Sequence, residues 1–353
     1  MRSAPANTTA GSTSINPHTR RLRRDSAVPP KSFEDIVGPE FEGLRLDVYL
    51  AAVVEDASRS FLQRLIKDGR VTVNGAEARR PSRTVAPGDT VVVELPPPPE
   101  ERPVAEDIPL VVVYEDADVI VIDKPSGMVV HPAPGHSGGT LVNALMFHCP
   151  GMSAAGGEMY RPGIVHRIDR HTSGLLVVAK SAAAFLGLAQ QVRDHAFDRR
   201  YLALVRGEFK EDRGRINVPV GRSLSDPGRM SVTGVRGREA VTRFETLERF
   251  GVASLVGLVL ETGRTHQIRV HLRYAGRPVL GDPVYGVTDF GKWPVSQRLK
   301  DALAGLDGQA LHAERLGFEH PVTHERLCFS VPPPPDFQRA LDALRKECTA
   351  SPS

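Results

Sequence analysis

The densest arrangement of reactive side chains lies in the stretch 161–181, RPGIVHRIDRHTSGLLVVAKS. A polar loop bearing Asp169 is set between glycines and leads into the apolar segment GLLVVAK. Loops carried beside a rigid sheet are common places for reactive groups. Arg167 and Arg170 flank the carboxylate. A nearby cation favours the ionised form that a nucleophile or a base requires. A surface turn with incidental charge pairing has the same composition, so the D-x-x-T-S-G spacing alone leaves both readings open.

Further positions could complete such a site. Tyr201, in RRYLALVRG, offers a flat face for stacking and a hydroxyl for polar contact, although a strand tyrosine also suits a core. Arg264, in GRTHQIR, is the candidate to hold the Asp169 carboxylate, since a guanidinium can grip a carboxylate bidentately. Phosphate binding or a surface place at a helix start are its alternatives. Arg269 and His271 lie further along the same predicted helix and rank behind it. Leu311 and Val177 could supply apolar walls or simply pack in the core. The pairs His131/His136, His166/His171 and His266/His271 fall in no HExxH frame and have no matching cysteines, so no metal is expected. Neither a Walker A sequence nor a dinucleotide-binding glycine fingerprint occurs, which leaves nucleotide hydrolysis and hydride transfer without support.

The elements that must position these residues are legible in outline. With 353 residues, 41% hydrophobic and 25% charged, the chain reads as a soluble globular protein of more than one domain. No apolar run is long enough to span a bilayer, and the N-terminus lacks the apolar core of a signal peptide. Three cysteines without a CxxC pair point to a reducing cytoplasm.

Residues 1–40, rich in Ser, Thr, Pro and Asn, read as a disordered tail with a basic cluster at Arg20, Arg21, Arg23 and Arg24. Residues 41–95 read as a small module. A helix opens at Leu46, and a second, over 58–68, carries Phe61, Leu62, Leu65 and Ile66 on one face and ends at Gly69. A strand over 71–73, an Asn74-Gly75 hairpin turn and a strand over 90–95 follow. The formal charge of +3 does not announce a nucleic-acid binder. Between positions 59 and 83, however, seven Lys or Arg face only two acids, enough to neutralise several phosphates or to form a solvated, ion-paired surface. The proline run at 96–103 predicts an extended linker. From 104 to 340, strands and helices alternate irregularly, which predicts an α+β domain with a mixed sheet, and 341–353 reads as a flexible C-terminus.

HRIDRHTSGLLVVAK is similar to the signature of the RluA-type pseudouridine synthases. VIDKPSGMVVHPAPGHSGGTLVNAL resembles that family's upstream motif. RRYLALVRG, LETGRTHQIRVHLRYAGRPVLGDPVYG and LHAERLGFEHP resemble its downstream motifs, all in order over 110–330. SRSFLQRLIKDGRVTVNG and VAPGDTVVVEL resemble an S4 RNA-binding domain, and together with VVHP this is most similar to the RluD-like branch, which modifies large-subunit ribosomal RNA.

The resemblance implies isomerisation of uridine to pseudouridine, with Asp169, Tyr201 and Arg264 at the reacting nucleotide. It also implies that Arg167 fills the space left by the extruded base, where an ion pair with an acid is the alternative. Arg59, Arg64, Lys67, Arg70, Arg79 and Arg80 are the expected RNA contacts. The implied partner is RNA, a 23S stem-loop in the large subunit or its precursor; a monomer is expected. The reaction breaks N1–C1′ and rejoins C1′ to C5 of the same uracil, so no cofactor is demanded. A single carboxylate among cations suits it better than hydrolysis, which usually needs two carboxylates. Transfer RNA as substrate, an RNA-binding assembly factor and an RNA glycosidase stand as alternatives.

Overall fold

The computed structural model describes residues 31–54, 57, 59–96, 103–132, 138–152, 162–223, 226, 228–232 and 237–350. The basic cluster at 20–24, most of the proline linker and His136 lie outside them.

The first unit is a four-stranded sheet in the order β1 (Lys31–Ile36), β4 (Thr90–Leu95), β2 (Val71–Val73), β3 (Ala76–Glu77), packed against α1 (Leu46–Val53) and α2 (Arg59–Lys67). Its core follows from periodicity: Leu62, Leu65 and Ile66 on one face of α2 meet Val91 and Val93, the alternate residues of β4. Asn74 and Gly75 both take positive φ (54° and 75°), as a two-residue hairpin turn requires. The unit begins earlier than its sequence suggests. Lys31–Ile36, assigned to the disordered tail, pairs antiparallel with β4 along its whole length. Six backbone groups that would otherwise present a sheet edge are thereby satisfied.

The second unit is built on a nine-stranded mixed sheet. It contains β5 (Val111–Glu115), β6 (Val119–Lys124), α3 (Leu141–His148), β7 (Ser173–Ala179), α4 (Ala182–Arg193), β8 (Asp198–Arg206) and β9 (Arg213–Asn217). A two-stranded ribbon follows, β10 (Val220–Arg222) and β11 (Met230–Val232). Then come β12 (Val241–Arg249), β13 (Ala253–Leu260), α5 (Gln267–Tyr274), α6 (Gln297–Ala304), β14 (Leu311–Glu319), β15 (Arg326–Ser330) and α7 (Pro335–Ala350). The large sheet runs β5-β6-β7-β14-β8-β13-β12-β9, with β15 beside β14.

Every residue of β7 is buried. Leu176 and Val178 join the main core with Tyr201, Ile268 and Leu272, whereas Leu175 and Val177 join a second core with Ala184 and Leu188 of α4 on the opposite face. A strand covered on both faces loses the polar alternation of a surface strand, which explains its unbroken apolar sequence. Val177 is therefore core, not a wall of any cleft.

The parallel pairing of β7 with β14 is brief, His312 with Ser173 and Ala313 with Gly174. Gly174 (φ 107°) is where the strands touch: a Cβ there would lie 2.3 Å from the carbonyl oxygen of Ala313. The glycine of the T-S-G run thus lets the two strands meet just behind the loop that carries Asp169.

Within the segment 341–353, expected to be flexible, residues 341–350 continue a helix, and 351–353 lie outside the described residues. α7 packs Phe337, Ala340, Leu341 and Leu344 into the main core, all at most 4% exposed. Leu344→Ala is expected to cost about 2–5 kcal/mol, read as a lower urea midpoint at unchanged slope. A flexible terminus would leave the midpoint where it is.

Candidate active site

Asp169 sits in the loop between His166 and Thr172, at the mouth of a cleft of about 360 Å³ lined by Ile168, Tyr201, Leu260, Arg264, His266 and Leu311, among others. A second recess of about 550 Å³ is bounded by Arg170, Val284 and Gln309, among others. Asp169, His266 and Arg269 belong to both.

The carboxylate is held by Arg269, not by Arg264. Arg269 Nη1 donates to Asp169 Oδ2 at 2.9 Å, while Nε and Nη2 donate to the two carboxylate oxygens of Asp282 at 2.7 and 2.8 Å. Arg264 instead turns its Nε to the carbonyl of Glu239 at 3.1 Å and lines the cleft. The physical reason lies in α5. It begins at Gln267, so Arg269 stands within the helix, where every residue from 267 to 272 is buried and a side chain must point at protein. Arg264 precedes it, and its backbone N–H is capped by the Gln267 side chain at 3.0 Å.

Arg269 is 5% exposed and Asp282 not at all. Burial works against the Arg269 charge, but the Asp282 hydrogen bonds and the Asp169 and Asp282 charges outweigh it and drive its pKa up. Burial also opposes the Asp282 charge. Arg269, with the N–H groups of Tyr285 and Val284, overcomes it and holds that carboxyl below its ordinary value. Asp282 is thus the fixed, fully bonded counter-ion, and Asp169, 19% exposed, is the partner left facing the cleft.

The loop is pinned from beneath by Lys124, the last residue of β6, whose side chain is fully buried. Its amine donates to the carbonyls of Pro125, Met128 and Arg170 at 2.7, 3.0 and 3.0 Å, which uses all three of its protons. Burial lowers its pKa to about 7, against the pull of Asp169 and Asp123. Arg170 lies on the solvent side and donates to the carbonyl of Gly127, and Thr172 N–H closes the loop on Asp169 O. At the loop's start, His166 Nε2 accepts from Val177 N–H at 3.1 Å, and burial depresses this imidazole to about pKa 3.

Tyr201, on β8, is 6% exposed and shares the cleft wall with Leu311 of β14. Burial raises its phenol pKa, Asp169 adds to this and Arg199 opposes it. Arg167 is exposed and forms no ion pair with Asp169; its Nη1 lies 3.5 Å from His131 Nε2. His266, which sequence reasoning considered only as half of a metal pair, faces Asp169 with its Nε2 4.0 Å from Oδ1.

The basic module divides into two kinds of side chain. Arg59 is a structural cation: with Arg45 and Gln63 it satisfies the fully buried carboxylate of Asp47, at 2.8 Å through Nη2. Arg79 pairs with Glu77 at 2.8 Å. Arg64, Lys67, Arg70 and Arg80 are exposed.

Two outcomes follow from this geometry. Arg269→Lys removes the fork that serves two carboxylates at once, and should lower unfolding free energy by about 3–5 kcal/mol, whereas Arg264→Lys should change it by no more than about 0.5 kcal/mol; urea titrations at pH 7.5 compare them. His166 is neutral when folded and protonates near 6.5 when unfolded, so its contribution is complete above pH 6.5 and declines as pH falls toward 3. Across that window the wild type should lose up to about 1.4 kcal/mol per pH unit more than His166→Gln, measured by denaturation at pH 7 and 5. Equal losses would show that His166 does not carry the effect.

A family model described as RNA pseudouridylate synthase matches residues 118–274, and an S4 domain model matches residues 44–91. The chain is 47% identical over 305 residues to the RNA pseudouridine synthase YlyB of Bacillus subtilis (strain 168), covering 86% of this chain and 94% of that one. It is 42% identical to ribosomal large subunit pseudouridine synthase D of Vibrio parahaemolyticus, covering 86% and 92%. Among solved structures, human RNA pseudouridylate synthase domain containing 1 superposes with a TM-score of 0.50 at 28% identity, over 70% of this chain and 98% of that one. The mixed sheet, the preceding module and these likenesses agree: the chain belongs to the RluA-type RNA pseudouridine synthases with an S4 domain, isomerases that convert uridine to pseudouridine in RNA.

Proposed function

We propose that this protein isomerises uridines of large-subunit ribosomal RNA, with Asp169 as the carboxylate that acts on the target ribose. The observation that carries the reading is the Asp169–Arg269–Asp282 arrangement: one oxygen of Asp169 is fixed by a buried guanidinium while the side chain faces the cleft. A carboxylate so held is oriented before substrate arrives, which spares the reaction that ordering. As nucleophile it would attack C1′; as base it would take the proton at C2′. Tyr201 and Leu311 form a wall against which the detached uracil can rest while water is kept out.

The target base must leave its stack first, at a cost of a few kcal/mol. Arg167 occupies the vacated space in this reading, which is supported by its exposure beside the cleft and by its lack of an acid partner among the described residues. The ribosomal target is supported by the relatives named ribosomal large subunit pseudouridine synthase D in Vibrio, Zymomonas and Pseudomonas. The S4 module supplies the phosphate contacts through Arg64, Lys67, Arg70 and Arg80, with Arg59 and Arg79 engaged within the module.

Wild-type protein incubated with unmodified 23S transcript should create new carbodiimide-dependent reverse-transcription stops, and Asp169→Asn should abolish them. Stops retained in Asp169→Asn would overturn the role of Asp169. Stops only on transfer RNA would overturn the ribosomal target. Replacing Arg64 and Lys67 by Ala should flatten the dependence of log affinity on log salt by about one unit per lost contact; an unchanged slope would remove this face from the RNA interface.

A further inference from the structure

His266 stands at the entrance to α5 in the left-handed conformation (φ 56°), which is rare for a side chain with a Cβ. Its imidazole is fixed by a chain of hydrogen bonds. The Tyr285 hydroxyl, on a side chain 4% exposed, accepts from Met230 N–H at 2.8 Å and lies 2.9 Å from His266 Nδ1. The Tyr285 ring is in turn held under Arg269, 4.9 Å from ring centroid to guanidinium carbon. The Tyr285 hydroxyl, already accepting from Met230 N–H, can donate its proton to Nδ1, and in that tautomer the imidazole proton lies on Nε2. Groups of both signs face the ring: Asp169 and Asp282 favour its charged form, while burial, Arg269 and Arg167 oppose it, and the net effect keeps it neutral.

Nε2 lies 4.0 Å from Asp169 Oδ1, too far for a direct hydrogen bond. One oxygen atom fits between them at about 2.8 Å from each. That oxygen must accept from Nε2–H and donate to a carboxylate oxygen. Within an RNA chain the ring oxygen, the phosphate oxygens and the uracil carbonyls only accept, and N3–H only donates. The 2′-hydroxyl alone does both, and it is borne by C2′, which is bonded to C1′, so it lies at the two carbons on which Asp169 is proposed to act. We propose that His266 and Asp169 together form a binding site for the 2′-hydroxyl of the target nucleotide, with Oδ1 as acceptor and Nε2–H as donor. Arg269 holds Oδ2 and so leaves Oδ1 available for this contact. His266 then selects ribose over deoxyribose at the reacting position and fixes the sugar against the carboxylate. The inference rests on the reading of Asp169 as the carboxylate at the ribose.

The test is a cycle between one atom of RNA and one side chain. Equilibrium affinity is measured for RNA fragments carrying pseudouridine or 2′-deoxypseudouridine at the position mapped in 23S transcript, so that no turnover intervenes. His266→Gly removes the imidazole without backbone strain at positive φ, and His266→Gln returns a donor near the position of Nε2. Wild type should prefer the hydroxyl-bearing RNA by about tenfold, the value of one good hydrogen bond. His266→Gly should reduce that preference to about twofold, and His266→Gln should restore most of it. Tyr285→Phe, which releases the tautomer, should lower it partway, with melting curves confirming a folded protein throughout. A tenfold preference that survives in His266→Gly would overturn the proposal and assign the gap to water. Activity of Asp169→Asn on the 23S transcript separates the two readings: an inactive variant beside an unchanged preference refutes only the role of His266.

Discussion

A guanidinium shared unequally between two carboxylates is the constraint on which the active site depends. Asp282 takes two of the bonds of Arg269 in full burial, and Asp169 takes the third at the edge of the cleft. Charges taken out of water are costly unless compensated. Here the compensation is complete on one side and deliberately partial on the other. Asp282 also accepts from Val284 and Tyr285 N–H, so the same residue shapes the turn after Gly281 and sets Tyr285 beneath His266. The positions of the Asp169 carboxylate and of the Tyr285 hydroxyl beside His266 therefore trace to a single buried acid.

The scaffold answers the need of that arrangement for rigidity. The Asp169 loop has little regular structure, yet it is clamped at both ends and from below. His166 ties its start to β7, Lys124 ties Arg170 to the end of β6, and Gly174 lets β14 close behind it. The buried lysine has no carboxylate within salt-bridge distance among the described residues; its charge is met by carbonyl dipoles. Such an amine works as a three-pronged strut.

Much of this was legible in the sequence wherever one local rule decided the outcome. The apolar face of α2, the Asn74-Gly75 turn and the continuous run of β7 are each read from period or turn chemistry. Tyr201 and Leu311 do reach the cleft with Asp169. What failed were readings that depend on contacts across the fold. Arg264 and Arg269 are equally basic, and only the register of α5 decides which meets Asp169. A signal existed, since an arginine inside QIRVHL has apolar neighbours on both sides and requires a buried acid. Its partner Asp282, thirteen residues on, is named by geometry rather than by spacing. β1 was missed because KSFEDI has little alternation and is held by its backbone bonds. The domain was ended at 340 and the rest read as flexible, although Phe337, Ala340, Leu341 and Leu344 carry helical spacing within α7. In the basic module, Arg59 shows why a charge count overstates an RNA surface, since Asp47 consumes it internally.

The hundred residues that separate Asp169 from Arg269 have a consequence in time. On the ribosome, Asp169 emerges well before its guanidinium partner, and Asp282 later still. At about 5–20 residues per second, the nascent chain carries an unassembled site for roughly 5–20 seconds after Asp169 has been made. The S4 module is complete before any of this, because its last strand ends at Leu95. The order of synthesis therefore yields a chain that can fold its RNA-binding part early and cannot perform chemistry until its second half has closed around the loop.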